Sequence, residues 1–262
     1  GEKGQGTPVP QVLTALGVDG APYAALGVEL GAEYAVGRLF LARTGPARGI
    51  VKVLMPAPGP LHAGEDAPAD AASFLSARLD LIGLYDEFEK GMALAAPQIL
   101  AAINMQIGQA AQRLGEPFNI RNDILSVFGQ RITVYTRYEL PYRPRGSEQM
   151  VVALDITGKA AFEQALDKLR RLSPQAFAML QSREYAGHAV YQMAMPALPP
   201  EMRKPAFAVT EERVLFSNDV AALEAHLRRL GKDAPSLAGR AEFQEGLRAL
   251  PAENRVLIGF QD

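Results

Sequence analysis

The sequence predicts an α+β fold, a largely antiparallel sheet with helices packed on one face. Short apolar runs are separated by tight turns, which is typical of hairpins. Several of these runs are followed by amphipathic stripes at helical spacing. The chain has 262 residues, of which 48% are hydrophobic and 21% charged. That balance is typical of a globular protein and is enough for one large domain or two small ones.

The first predicted hairpin joins "GRLFLAR" (37–43) to "GIVKVLMP" (49–56). The intervening "TGPARG" is rich in Gly and Pro, so we expect a loop longer than two residues. The next stretch, 57–70, contains three prolines and is predicted to be a loop.

A strand is predicted at 72–80, ending at Asp80. Aspartate is a good helix N-cap because its carboxylate accepts a free backbone N–H. The helix that follows carries one apolar stripe, formed by Leu81, Leu84, Tyr85, Phe88 and Met92. Pro97 is suited to the first turn of a second helix, and Gly115 to its C-terminal cap.

A short helix stopped by Gly129 and then a strand are predicted within 118–139. The loop at 140–149 is the most plausible internal boundary. We therefore expect a flexible start at 1–6, an N-terminal half at 7–145 and a C-terminal half at 146–262. The two halves are compatible with one continuous sheet.

The second half opens with a strand that ends near Ile156. The helix after it has one apolar face, formed by Phe162, Leu166, Leu169 and Leu172. Segment 183–196 is predicted to be a strand or a hairpin. "SLAGRAEFQEGLRALP" is predicted to be a helix and "RVLIGFQD" a final strand.

A further hairpin, "AFAVTEERVLFS", is expected to turn at Glu211 and Glu212. Its alternation predicts side chains that face the core at Phe207 and Val209 and side chains that face outward at Ala208 and Thr210. The following "SND" suits a helix N-cap, and Gly231 a helix end.

Two segments of the second half share an order of strand, polar cap and amphipathic helix. They are "VVALDITGKAAFEQALDKLRRL" and "RVLFSNDVAALEAHLRRL". A duplicated unit would explain the likeness. Any α+β chain also yields such echoes, so both interpretations stay open.

Composition and motifs exclude several functions. Cysteine is absent, which excludes disulfides, zinc–thiolate sites and thiol nucleophiles. Net charge is −2 without a basic tract, so we expect no nucleic-acid partner. No run of about 18 apolar residues is present, so no transmembrane segment is predicted. GxSxG, GxGxxG and GxxxxGK[ST] motifs are also absent.

The titratable residues indicate neither a catalytic site nor a cofactor or metal site. His62, His188 and His226 lie far apart in sequence, without a metal-ligand spacing. We expect two of them at the surface and one partly buried. Asp86 and Glu89 share a helix edge and could do acid–base work if buried, but a solvated helix face explains them better.

The segment 91–114 is apolar over a wide arc and contains small and methionine residues. Core packing is the common explanation of such a helix. A surface for a protein partner or an apolar ligand is the alternative. The residues that would form this surface are Met92, Ile99, Ile103, Met105 and Ile107.

The strongest resemblance is carried by "DILSVFGQRITVYT" and "FAVTEERVLFSND". With "SFLSARLDL" and "REYAGHAVYQM", residues 66–262 resemble a family of uncharacterised bacterial proteins that carry a domain of unknown function. The resemblance implies an exported, periplasmic or cell-envelope protein. It implies no catalytic residue.

Three functions follow as expectations. The first is a non-enzymatic envelope or secreted module that binds a protein partner or an apolar ligand. The second is a hydrolase that uses Asp, Glu and His. The third is a structural repeat of a larger exported protein. The sequence indicates no oligomeric state.

Overall fold

The computed structural model describes most of the chain from residue 24 onward. The described residues are 24–30, 35–42, 44–46, 49–54, 57, 59–143, 146–194, 204–232, 234–250 and 256–262. The predicted flexible start at 1–6 lies outside them. The chain divides into two compact units. One comprises Gly1–Ala57 and Asp80–Ala110, and the other comprises Pro58–Leu79 and Ala111–Asp262.

The first unit begins with an antiparallel hairpin of β1 (Ala24–Leu30) and β2 (Ala35–Leu41). The strand predicted at 37–43 is present, but its predicted partner at 49–56 is wrong. Gly49–Leu54 is a helix, α1, and residues 55 and 56 lie outside the described ones. A short apolar run such as "GIVKVL" fits a strand or a helix equally well by periodicity.

Two longer helices complete this unit, α2 (Leu81–Ala95) and α3 (Pro97–Leu114), the second of which continues into the other unit. Asp80 caps α2 as predicted, because its carboxylate accepts the N–H of Gly83 at 2.8 Å. Gly115 follows α3 with φ +70°, in the left-handed region predicted for a C-terminal glycine.

The second unit is built on an eight-stranded antiparallel sheet with the order β10-β3-β4-β5-β9-β8-β7-β6. These strands are β3 (Ser73–Arg78), β4 (Phe128–Tyr138), β5 (Glu148–Ile156), β6 (Leu180–Tyr185), β7 (His188–Met193), β8 (Ala206–Val209), β9 (Arg213–Ser217) and β10 (Leu257–Gln261). The predicted α+β class with an antiparallel sheet is therefore confirmed. The loop at 140–149 connects β4 to β5, which pair directly, and the division near 145 stays a prediction.

The inner face of the sheet is covered by α6 (Val220–Arg229) and α7 (Ala241–Ala249). Asp219 caps α6 by accepting the N–H of Ala221 at 2.7 Å. The buried side chains of α6 and the strands below it form one cluster, which includes Ala153, Val190, Ala206, Ala208, Leu215, Leu223 and Leu227. Burying one large apolar side chain of this kind contributes about 1.5–3 kcal/mol before chain entropy is subtracted.

Successive side chains of each strand point alternately to the inner and the outer face, and α4 covers a part of the outer one. Phe162 and Ala165 of α4 (Lys159–Leu172) belong to a buried cluster with Val209 and Val214. A short helix, α5 (Pro174–Ala178), leads from α4 to β6. The alternation predicted on β8 is wrong except at Val209, which is buried: Ala208 and Thr210, predicted to face outward, are buried as well, and Phe207, predicted to face the core, is half-buried on the outer face.

Both predicted hairpins of the second half are present. β6 and β7 are joined by Ala186 and Gly187, whose φ angles of 52° and 79° are those of a type I′ turn. β8 and β9 turn at 210–213, where the Thr210 hydroxyl accepts the N–H of Arg213 at 3.0 Å. Tight turns of this kind can be predicted because the residues that form them are adjacent in the sequence.

Gly129 has a different role from the predicted one. The helical turns at Ile120–Ile124 and Leu125–Val127 end before it, and Gly129 lies within β4 beside a register irregularity. A Cβ at this position would lie 2.7 Å from the Cβ of Asp155. The glycine therefore permits a close approach of β4 to β5 rather than stopping a helix.

Candidate functional site

The surface predicted on α2 and α3 is only partly exposed. Ile99 and Met105 are exposed, whereas Met92, Ile103 and Ile107 are half-buried. No charged residue occurs between positions 91 and 112. The role of these residues as a binding surface stays a prediction.

One acidic residue of α2, Glu87, forms ion pairs. Glu87 accepts hydrogen bonds from Lys90 at 2.8 Å, from Lys52 at 3.4 Å and from the backbone of Gly49 at 2.9 Å. The hydrogen bond from Lys90 is the main reason why the pKa of Glu87 is lowered, and burial opposes it. Glu87 thereby connects α1 and α2, which indicates a structural role.

The three histidines occupy different surroundings. His226 is buried, and its Nδ1 lies 3.1 Å from the hydroxyl of Tyr135. Burial is the main reason why its pKa falls from 6.5 to about 4. His62 and His188 are half-buried, so the predicted set of two surface histidines and one partly buried one is wrong. Leu223 and Leu227 pack α6 against the sheet, and His226 lies beside them on this helix, so its side chain is buried with theirs.

His62 lies in a partly buried network of charges at one end of the inner face. Its ring nitrogens lie 3.7 Å from Asp66 and 3.7 Å from Asp155. Arg213 donates to Asp66 at 2.5 Å, and Arg131 donates to Asp155 at 2.5 Å. Burial raises the pKa of Asp155, but the hydrogen bonds from His62 and Arg131 and the charge of Arg213 outweigh it and leave that pKa lowered.

This network resembles a set of mutually neutralised ion pairs more than an acid–base site. Each carboxylate has a cationic partner in contact, and Arg213 also lies 3.2 Å from a ring nitrogen of His62. Among the residues that the structure describes, no group of three His, Asp or Glu side chains could hold a metal ion. The described helices also include none that is both long and apolar enough to cross a membrane.

A concave feature lies on the outer face of the sheet, beside the part that α4 covers. We call it the sheet groove. It has a volume of about 490 Å³ and crosses the ends of β5 to β9. Its lining consists of Met150, Val152, Leu180, Tyr191, Met193, Pro205, Ala206, Phe207, Phe216, Ser217 and Asn218.

Three aromatic rings on adjacent strands form the floor of the sheet groove. Tyr191 stacks on Phe207, with ring centroids 4.6 Å apart and planes 13° from parallel. Phe207 lies 5.8 Å from Phe216, with planes 36° apart. Met150 and Met193 stand at the rim and are exposed. Methionine side chains are flexible and polarizable, so this rim can adapt to an occupant.

The polar side chains at one end of the groove are already used within the protein. Ser217 donates its hydroxyl to the carbonyl of Met150 at 2.7 Å. Asn218 accepts the N–H of Met150 at 2.9 Å and donates to the carbonyl of Glu148 at 3.1 Å. The eleven described residues of the lining therefore present mainly apolar atoms to an occupant, and none of these eleven is charged.

The sheet groove is not among the sites that the sequence pattern predicts. The signal was present in "MVVAL" and "RVLFS", where apolar residues occupy both faces of a strand. The alternation along these strands instead predicts one packed face and one less buried face. Three strands contribute one ring each to the aromatic floor, and the sequence does not show which residues of these strands pair with one another.

A comparison with protein families finds one match. The family model described as Protein of unknown function (DUF3352) matches residues 110–261. The comparison with curated proteins finds no match, and neither does the comparison with solved structures. The matched range contains all eleven lining residues named above, whereas the five residues predicted on α2 and α3 lie outside it.

Proposed function

Since the chain belongs to the family of proteins of unknown function DUF3352, we propose its function from the sheet groove. The protein is a non-enzymatic binding module that holds an apolar ligand against the aromatic floor of this groove. The observation that carries the proposal is the contiguous row of the rings of Tyr191, Phe207 and Phe216 on the groove floor, of which Phe216 is exposed.

The size and chemistry of the groove support ligand binding. Sites for small molecules commonly measure about 300–1,000 Å³ and are lined by apolar and aromatic side chains. The groove volume of about 490 Å³ falls in this range. Large apolar side chains left in contact with water are unfavourable, and a ligand that covers them recovers that free energy.

The alternatives have less support. In a hydrolase, the histidine and carboxylates of the network would have to be available for proton transfer, yet Asp66 and Asp155 are held by arginines. The structural repeat stays a prediction. A protein partner on α2 and α3 also stays a prediction, and the exposure of Ile99 and Met105 supports it.

The proposed setting is the exported, periplasmic or cell-envelope one implied by the resemblance to bacterial envelope proteins. It is tested by locating the native protein in cell fractions. Recovery from the cytoplasmic fraction alone would contradict this part of the proposal.

The binding proposal is tested with Nile red, an uncharged apolar dye whose fluorescence rises in apolar surroundings. Phe216→Asp places a carboxylate in the groove, and Phe88→Asp makes the same change on α2. The two phenylalanines are 38% and 45% exposed, so the substitutions are matched. We expect Phe216→Asp to weaken dye binding at least about tenfold, since a charge is costly in an apolar site, and Phe88→Asp to leave it unchanged.

Circular dichroism shows whether both variants remain folded. Met193→Glu, at the exposed rim, provides a second groove variant in case Phe216→Asp is unfolded. If Phe88→Asp loses Nile red binding while both groove variants retain it, the binding site lies on α2 and α3 instead. Equal binding by all variants would contradict a specific site.

A further inference from the structure

The loop between β4 and β5 holds three large apolar side chains in water. Leu140 and Tyr142 are 82% and 64% exposed, more than any other large hydrophobic residue that the structure describes, and Tyr138 is 48% exposed. We call residues 138–143 the tyrosine loop. Contiguous apolar side chains that the fold leaves in water indicate an interaction surface.

Hydrogen bonds close the tyrosine loop behind its tip. The N–H of Glu139 donates to the carbonyl of Ser147 at 2.9 Å, and the N–H of Arg143 donates to the hydroxyl of the same serine at 2.6 Å. Ser147 is buried, so this closure is fixed to the sheet. Residues 140–142, which read Leu-Pro-Tyr, therefore project beyond it as an apolar tip.

Ring packing holds the tip in shape. The rings of Tyr138 and Tyr142 meet edge to face, with centroids 5.9 Å apart and planes 69° from parallel. The tip therefore has little conformational freedom to lose when a partner covers it, which favours binding.

The backbone of the tip is suited to surroundings that exclude water. The N–H groups of Glu139 and Arg143 have acceptors within the protein, and Pro141 has no N–H. A backbone donor that loses its water without gaining an acceptor is costly in an apolar medium. The loop therefore carries less of this cost than an ordinary loop would.

From this tip we propose that the protein docks reversibly on the surface of a lipid bilayer. Leu140 enters the boundary between headgroups and acyl chains, and Tyr138 and Tyr142 lie at headgroup level. Tyrosine is suited to that level because its ring is apolar and its hydroxyl polar. Arg143 is exposed at the closure, at the depth of the lipid phosphates, to which a guanidinium donates strong hydrogen bonds.

The convex shape of the tip favours a bilayer over a protein partner. Three side chains that project from a closed loop need a matched pocket in a protein. A bilayer is fluid and covers an apolar tip of any shape, as it does the apolar face of an interfacial helix.

The tip and the rim of the sheet groove lie at the same end of the sheet. Tyr138 pairs with Glu148 where β5 begins. Cross-strand pairs lead from β5 through β9 and β8 to the end of β7, so Met150 and Met193 of the rim lie at this end as well. Docking thus brings the rim near the lipid, which is a source of apolar ligands. The docking itself goes beyond the proposed function and does not depend on it.

A single tryptophan tests where the bilayer is contacted, since the chain contains none. Leu140→Trp places this fluorophore at the tip. Leu257→Trp is the control, because Leu257 is 54% exposed and pairs with Ala77, toward the opposite end of the strands. Phosphatidylcholine vesicles are added to about 10 mM lipid, because three side chains bind more weakly than a myristoyl chain, whose association constant is about 10⁴ M⁻¹.

We expect vesicles to shift the emission of Leu140→Trp to shorter wavelength, and brominated acyl chains to quench it. The emission of Leu257→Trp should not change. In sedimentation with vesicles, Leu140→Asp should bind at least about tenfold more weakly than the wild type, because a charge is costly in apolar surroundings. Leu257→Asp should bind like the wild type, and circular dichroism shows whether both are folded.

Salt and lipid charge show which contacts carry the binding. Because apolar side chains provide it, we expect the affinity to change less than about threefold when a quarter of the lipid is phosphatidylglycerol or when salt rises to about 0.5 M. Binding that requires phosphatidylglycerol and disappears in salt would place the contact on a charged surface and overturn the proposal.

The other occupants of the tip give different results. A shift in Leu140→Trp that needs no lipid and grows with protein concentration would show that a second copy covers the tip. The absence of any shift at the highest lipid concentration would leave a protein pocket as its partner. Either result overturns docking on lipid. Nile red binding without vesicles should be unchanged in Leu140→Asp, so the groove proposal and the docking proposal can fail separately.

Discussion

Acidification is expected to weaken the folded protein through one buried imidazole, that of His226. This side chain is 2% exposed and lies between α6 and the inner face of the sheet. Burial is the main reason why its pKa falls from 6.5 to about 4. The charges of Arg213 and Arg229 lower it further, and that of Asp66 opposes them.

The sign of the effect follows from the lowered pKa. Above pH 6.5 both the folded and the unfolded state hold the imidazole neutral. As the pH falls below that value, the unfolded state binds a proton and the folded state does not, so stability decreases. The loss is complete near pH 4, where the folded state is also protonated. At about 1.4 kcal/mol for each pKa unit, it amounts to about 3 kcal/mol.

Urea unfolding of the wild type and of His226→Gln, measured from neutral pH to about pH 4, isolates this contribution. Carboxylates titrate in the same range, but they are common to both proteins and largely cancel in the difference. His188→Gln, at the start of β7, controls for loss of an imidazole outside the core. Glutamine retains an acceptor for the hydroxyl of Tyr135.

We expect the stability advantage of the wild type over His226→Gln to shrink by about 3 kcal/mol across this range. Parallel pH curves for the two proteins would refute the argument. So would an NMR titration of His226 with a midpoint near its ordinary value of 6.5.

Three further predictions concern stability, and urea unfolding at neutral pH measures each of them. Gly129→Ala should destabilise the protein by about 1–3 kcal/mol, because its Cβ would overlap the opposing strand. Gly108→Ala on α3, where a Cβ meets no other atom, should be neutral or stabilising. Equal effects of the two substitutions would contradict the close approach of β4 to β5. Asp155→Asn should lower the free energy of unfolding by about 1–3 kcal/mol because it removes the charge that its half-buried arginine partners face. Asp167→Asn in an exposed pair should change stability by less than about 0.5 kcal/mol. A neutral Asp155→Asn would show that the network contributes little. Leu223→Ala should cost about 2–5 kcal/mol through the cavity it leaves in the core, and a cost below about 1 kcal/mol would mean that the site collapses around it.

Features encoded within a few residues could be predicted from the sequence. The caps at Asp80 and Asp219 and the glycines at 115 and 231 act on adjacent backbone groups, and all four take the predicted places. The hairpin turn at 210–213 is also local. Short polar caps and left-handed glycines have few alternative uses, so their chemistry identifies them.

Features that join distant residues could not be predicted. The charge network connects His62 to Asp155 and Arg213, which are far apart in the chain. Gly129 is needed for the close approach of Asp155 on β5, which is distant in sequence, and not for the helical turns just before it. The sheet groove likewise depends on which residue of each strand pairs with which, and a shift by one residue would move every side chain to the other face.

Methyl resonances of the methionines give the most direct test of binding in the sheet groove. Met150 and Met193 line the groove, whereas Met92 and Met105 lie on α2 and α3. On addition of dodecyl maltoside to the protein labelled at the methionine methyls, we predict that the resonances of Met150 and Met193 shift and those of Met92 and Met105 do not. Shifts confined to Met92 and Met105 would contradict the account.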